Sequence, residues 1–301
     1  MSPKKPNIFL KLLSLFAVVR GYNILVIVVA QYLASVFIIA PNYLSAKKIV
    51  FDVNLFLIVV SSALAIASGY IINNFYDSAK DLINRPKKTY LENMVSQQTK
   101  LSLYFILNFA CIIIASSISF NAVLFFSAYI FAIWLYSHQL KRNVFIGNIT
   151  ASILAVVPFF AVFIYYRNFD LVIFVHALFL FLLISLRELT KDMQNIKGDF
   201  AQNYQTIPVK FGSKLAKQTA SILVLMSSIP VIVLLTKFDL GYMNYYFMLS
   251  LVVLLFYLIM LWKSASKYQY VWLHNLLKFL IVLGVFCILL IDVDLVIKRF
   301  L

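Results

Sequence analysis

Five of the chain's eleven acidic residues stand in two short polar clusters at the ends of apolar runs. The first is Asn73-Asn74-Phe75-Tyr76-Asp77-Ser78-Ala79-Lys80-Asp81, and the second extends from Arg187 and Glu188 through Lys191, Asp192 and Asn195 to Gly198 and Asp199. Spacings of four (73, 77, 81) and of four, three and four (188, 192, 195, 199) put each set on one face of a helix. Carboxylates are costly beside a hydrocarbon phase and are kept there mainly for function. Two such sets suit a diphosphate, which carboxylates cannot approach directly because both are anionic; Mg²⁺ bridges them. Asp77 and Asp81 are expected to serve one ion, and Asp192 and Asp199 the other. Asn73 and Asn195 would act as neutral oxygen ligands or hydrogen-bond donors, and Glu188 as a ligand or an orienting neighbour.

Cations must then hold the outer phosphate oxygens and the charge that grows on a departing diphosphate. Candidates are Arg85, Lys88, Lys141, Arg142, Arg187 and Lys191, with Lys141 and Arg142 in a short loop on the clusters' side. Arg20 and Asn23 join them, because an unpaired arginine inside an apolar span is expensive. Of the many aromatics, Phe75, Tyr76 and Tyr136 adjoin the clusters and could face a carbocation. His138, His176 and His274 lack metal-ligand spacing and read as structural, and Cys111 and Cys287 read as small buried hydrophobes.

The elements that position these groups are membrane spans. The chain has 301 residues, 63% hydrophobic and only 12% charged, outside the range of soluble domains. Apolar runs fall near 16–40, 53–75, 101–119, 121–139, 143–165, 170–190, 217–236, 242–262 and 271–297, each long enough to cross a bilayer. The expectation is one all-α, polytopic domain over 1–301, with nine transmembrane helices around a central cavity. Residues 7–19 read as an interfacial lead-in. The runs are continuous where a membrane barrel would alternate, which excludes strands.

Base exceeds acid by 26 to 11. The positive-inside rule explains this without nucleic acid. With the N-terminus inside, eighteen Lys and Arg lie in inner segments, including Lys4 and Lys5, and six in outer ones, including Lys298 and Arg299. Both acidic clusters then emerge on the cytoplasmic face of the cell inner membrane. Four crossings separate them, hinting at duplication of a four-helix unit. Pro86 and Pro208 predict helices through Asp81 and Asp192, each followed by a loop, with a short capping segment. Gly198 is a candidate point for the second helix to open.

Asn73-xxx-Asp77-xxx-Asp81 with Asn84-Arg85-Pro86 resembles the first motif of the UbiA superfamily of intramembrane prenyltransferases. Arg187-Glu188-xx-Lys191-Asp192-xx-Asn195-xx-Gly198-Asp199 resembles the second, and Leu140-Lys141-Arg142, Gly147-Asn148 and Thr206-Ile207-Pro208-Val209 also match. The resemblance implies nine helices around a central cavity, Mg²⁺, a polyprenyl diphosphate donor and an acceptor that attacks its C1. The subgroup is similar to geranylgeranylglycerol-phosphate geranylgeranyltransferases, whose acceptor is lipid-like. An aromatic acceptor of quinone synthesis, 4-hydroxybenzoate or dihydroxynaphthoate, is the alternative. Asn74 and Asn195 depart from the family, which often has Asp at both places. A cation-coupled secondary transporter would place its acids near mid-membrane on glycine-rich broken helices; this chain has seven glycines, and its acids lie at span ends.

Overall fold

The computed structural model describes residues 8–41 and 43–293. Lys4, Lys5, Lys298, Arg299 and the last residues of the run expected to end at 297 lie outside them. Helices α1 (Ile8–Val18), α2 (Gly21–Ala34), α3 (Ala46–Val50), α4 (Val53–Asn84), α5 (Pro86–Glu92) and α6 (Gln97–Ser116) are followed by α7 (Phe120–His138) and α8 (Ile146–Tyr166). Then come α9 (Leu171–Ala201), α10 (Ile207–Lys237), α11 (Met243–Lys263) and α12 (Lys267–Cys287), and no strand occurs among the described residues. Nine helices among them are long and apolar enough to cross a membrane, and α1 is a shorter apolar helix before the first.

Helix length is what creates the site. α4 has 32 residues and α9 has 31, so each is about 47 Å long at 1.5 Å per residue. A hydrocarbon layer of about 30 Å accommodates some twenty of those residues. The remaining turns of each helix carry the polar clusters beyond the apolar layer. These two spans are also the most enclosed, with 67% and 44% of their apolar windows buried. Each anchors its own apolar cluster: α4 with α2, α6, α7 and α8, and α9 with α10, α11 and α12.

Local chemistry sets the boundaries. Asp52 caps α4 by accepting from the amides of Asn54 at 2.9 Å and Leu55 at 3.3 Å, satisfying donors that have no partner within the helix. Ser119 caps α7 through the Ala122 amide, so the third and fourth spans divide where the sequence indicates. Arg85 leaves the helical region (φ −144°, ψ 57°) before Pro86, which begins α5 at its first position, since the residue before a proline is disfavoured in the helical region. The loop expected after α4 is therefore the single residue Arg85, and α5 follows at once without lining the cavity between α4 and α9 described below. Inside α8, Pro158 cannot donate to the Leu154 carbonyl, and the Tyr129 hydroxyl donates to it at 3.0 Å instead.

Gly198 does not open the chain, and α9 continues to Ala201. Its role is close approach. The Gly198 amide donates to Asn84 Oδ1 at 3.2 Å, and a Cβ there would lie 2.3 Å from Asn84 Nδ2. Gly198→Ala is expected to displace the Asn84 amide, break its bond to the residue 198 amide and cost about 1–3 kcal/mol. Thermal melting in detergent should fall accordingly, and an unchanged melt would contradict the contact.

Asn74 also has a structural account. Its Nδ2 donates to Glu92 Oε2 at 3.0 Å and its Oδ1 accepts from Lys100 Nζ at 2.9 Å, tying α4 to α5 and α6. An aspartate here would lack the donor and set a second negative charge against Glu92.

Candidate functional site

The polar ends of α4 and α9 face one another across a cavity of about 40 Å³, closed by the turn at Leu140–Arg142 and the loop at 202–206. Asp77 is its hub. Asp77 Oδ1 accepts from Lys141 Nζ at 2.9 Å, Lys80 Nζ at 3.2 Å and the Tyr204 hydroxyl at 3.1 Å. Lys141 also donates to Asn73 Oδ1 at 3.2 Å. Lys80 reaches across to Asp199 Oδ1 at 3.5 Å, so one ammonium links the two acidic sets. The Tyr204 ring lies 4.3 Å from Lys80 Nζ and 5.4 Å from the Arg142 guanidinium carbon. Burial, and then the Asp77 charge, push the Tyr204 phenol up to about 12, so it remains a donor to that carboxylate at neutral pH.

The α9 side is less committed. Asp192 lines the cavity with no basic nitrogen within ion-pair distance among the described residues. Asn195 Oδ1 is buried without a hydrogen-bond partner. Glu188 is held by Lys191 at 2.5 Å and by Arg187 at 3.8 Å. Two residues beside this space have strained backbones, Arg20 at φ 51° and Phe145 at φ 59°. Such strain concentrates at functional sites.

The UbiA prenyltransferase family model matches residues 28–283, nearly the whole membrane part of the chain. The chain belongs to the UbiA prenyltransferase family. Over 250 residues it is 26% identical to digeranylgeranylglyceryl phosphate synthase of Methanobrevibacter smithii, covering 79% of this chain and 83% of that protein. With the synthase of the same name from Thermococcus sibiricus the identity is 33% over 145 residues, 48% of this chain and 51% of that one. The fold matches a UbiA homologue from Archaeoglobus fulgidus bound to GPP and Mg²⁺, with TM-score 0.66, 14% identity and coverage of 91% and 99%.

Among the described residues of this UbiA member, no three Asp, Glu, His or Cys side chains converge closely enough to hold a metal alone. The oxygens of Asp77, Asp192 and Asp199 nonetheless share one small cavity with the unpartnered Asn195 Oδ1. Mg²⁺ takes few protein oxygens and keeps positions for water and phosphate. The residues therefore fit an ion completed by a diphosphate, and they do not form a closed protein cage.

Of the residues named from sequence, Arg20, Asn73, Asp77, Arg85, Lys141, Glu188, Lys191, Asp192, Asn195 and Asp199 line this cavity. Asp81 does not; its Oδ1 lies 3.4 Å from Arg85 Nη2. The reason is helical drift. Each four-residue step overshoots a full turn by about 40°, which puts Asp81 some 80° from Asn73. Lys80, seven residues on from Asn73, falls within about 20° of it and takes the place on that face. Asn23 and Arg187 line an adjoining cavity, and Arg142 packs on Tyr204 outside both. Tyr136 lines the site, whereas Phe75 and Tyr76 face an apolar groove between α4, α6 and α7. Sequence reasoning missed Lys80, Tyr204, Asn143 and Asn148, all of which line the site. Lys80 carried a signal in its spacing; Tyr204, 127 residues from Asp77, carried none.

Proposed function

We propose that this prenyltransferase moves a polyprenyl chain from its diphosphate to the hydroxyl of a phosphorylated lipid alcohol of the geranylgeranylglyceryl phosphate type. The observation that carries the reading is the single small cavity in which α4 and α9 bring carboxylates of both clusters together with Lys80 and Lys141. Asp77, Asp192, Asn195 and Asp199 would hold Mg²⁺, which when bound neutralises the diphosphate and stabilises it as a leaving group. Lys80, Lys141 and Arg85 would hold phosphate oxygens and take up the charge that grows as the bond from C1 to oxygen breaks. The acceptor oxygen then bonds to C1, and its proton passes to the released diphosphate or to water. A separate apolar cavity of about 130 Å³ lies between α2, α8, α9, α11 and α12, lined by residues such as Phe163, Leu183 and Phe247, and would take an apolar chain. The similarity to synthases named for digeranylgeranylglyceryl phosphate supports the lipid acceptor.

The same reading places the chain, as one multi-pass domain, in the cell inner membrane with its site toward the cytoplasm. The basic bias of the segments on the site's side supports this orientation.

Competition among geranylgeranylglyceryl phosphate, dihydroxynaphthoate and 4-hydroxybenzoate for one labelled donor tests the acceptor. The expected product is the prenylated phospholipid; product from an aromatic acid alone would overturn the acceptor and leave prenyl transfer intact. Asn195→Asp restores a charged oxygen beside Asp192 and Asp199. It is expected to lower the Mg²⁺ concentration for half-maximal activity and to tighten Mn²⁺ binding measured without substrate. An unchanged requirement would remove Asn195 from the ion's surroundings.

A further inference from the structure

A second polar cavity, about 200 Å³, adjoins the first between the start of α2, the α4–α5 junction, α9 and α12. It is far larger than the roughly 15 Å³ that admits one water. Six cations line it, Arg20, Arg85, Lys88, Arg187, Lys191 and Lys278, and no carboxylate does. Four of them lean on acids outside its lining: Arg85 on Asp81, Lys88 on Glu92, and Arg187 and Lys191 on Glu188. Arg20 and Lys278 have no carboxylate within ion-pair distance among the described residues. Lys278 donates to the Tyr22 hydroxyl at 2.6 Å and lies 4.1 Å from that ring's centroid.

Cations crowded into a concave space repel one another unless an anion joins them. Burial, and then the Arg20 charge, pull the Lys88 ammonium below its ordinary value. A lysine within the last span, as Lys278 is, is expensive and marks function by default. Gln194, Asn275 and His274 add further polar groups to the lining.

The partition between the two cavities is informative. Arg20, Arg85 and Lys191 line both, while the uncommitted α9 oxygens line only the first. A diphosphate handled through a divalent ion belongs with those oxygens. The acid-free basin is built for an anion held by cations directly, as phosphate monoesters are by Arg and Lys. We propose that this basin binds the phosphate of the acceptor lipid, holding its hydroxyl beside the donor across the shared wall. This rests on the phosphorylated-acceptor reading above and names the residues that would recognise the phosphate. Arg20 has a distinct place in it, since its left-handed backbone (φ 51°, ψ 53°) stands at the start of α2 where the two cavities meet.

The test uses the full chain in detergent, with Lys278→Gln, Lys88→Gln and the double variant. KM is measured for geranylgeranylglyceryl phosphate, for its dephosphorylated alcohol and for geranylgeranyl diphosphate. Loss of one charge-assisted contact is expected to raise KM for the phosphorylated acceptor about tenfold or more. KM for the donor should stay within about twofold, the alcohol should show no comparable change, and Lys278→Arg should recover most of the loss. Thermal stabilisation by the phosphorylated acceptor, without donor or Mg²⁺, should shrink in the same variants, which separates binding from turnover. A rise in donor KM alone would assign the basin to the diphosphate and overturn the proposal. So would variants that respond only to the fraction of anionic lipid in added vesicles, the mark of a bilayer headgroup site. Wild-type protein that prenylates only an aromatic acid would sink the acceptor reading and this inference with it. Wild-type turnover of the phospholipid with unaltered variants would sink the inference alone.

Discussion

Asp192→Ala is expected to lower prenyl transfer about a hundredfold or more while leaving the melting temperature unchanged. Asp192 faces the cavity without a basic partner, so its removal deletes an oxygen donor and frees no buried cation. One electrostatic contact to a developing charge is worth roughly that factor in rate. Asp77→Ala is the instructive contrast. Its carboxylate is shared by Lys80, Lys141 and Tyr204, so its loss leaves the enclosed Lys141 ammonium without a carboxylate and Lys80 with Asp199 alone. Removing one partner of a buried pair costs about 3–5 kcal/mol. Asp77→Ala should therefore lose both activity and thermal stability, and turnover must be compared at a temperature where the variant is folded. Near-normal turnover in Asp192→Ala would separate α9 from the chemistry.

Lys80→Met should have the second largest effect, in two opposite directions. Lys80 lies between Asp77 and Asp199 at 3.2 and 3.5 Å, so its ammonium competes with any divalent ion for those oxygens. Without it, the carboxylates of α4 and α9 repel across the cavity, and the metal-free protein should melt at a lower temperature. Mn²⁺ titrated into the variant without substrate should bind more tightly and restore the melt. Turnover should still fall tenfold or more, because the same ammonium is placed to meet phosphate oxygens as charge develops. Unchanged Mn²⁺ affinity, with unchanged turnover, would reduce Lys80 to a structural tether.

Much of the architecture was legible in the sequence because the bilayer permits few solutions. Continuous apolar runs of about twenty residues dictate spanning helices, and Pro86 marks the end of α4; the serine and aspartate caps emerge only in the structure. The facing of the two acidic clusters followed from the parity of the crossings between them. Angular detail was harder. Four-residue spacing looks like one face over two steps, but at 3.6 residues per turn it drifts, and Asp81 drifts off toward Arg85 while Lys80 drifts on. In the second cluster, steps of four, three and four cancel the drift, and residues 188, 192, 195 and 199 stay within about 60°. In the sequence Lys80 is one of the eighteen inner cations, and charge alone does not distinguish a loop cation from one aimed into a cavity.

Asn74 and Tyr204 show what a sequence without tertiary contacts conceals. Asn74 adjoins the cluster yet points away, occupied by Glu92 and Lys100. Tyr204 comes from a loop with no motif of its own, and the Gln205 amide donates to the Arg142 carbonyl at 2.9 Å, tying that loop to the 140–142 turn beside the site. The division of cations between two cavities depends on how α12 packs against α9 and α2, which no spacing rule reports.

The most direct test of a single metal and diphosphate site between α4 and α9 is a structure with Mn²⁺ and a thiodiphosphate analogue of geranylgeranyl diphosphate, the metal located by its anomalous scattering. The predicted result is Mn²⁺ bound by oxygens of Asp192, Asn195 or Asp199 together with Asp77, bridging to a diphosphate that Lys80 and Lys141 also touch, and absent from the Asp192→Ala variant. Mn²⁺ and diphosphate seated among Arg20, Lys88 and Lys278, away from the carboxylates, would contradict the account.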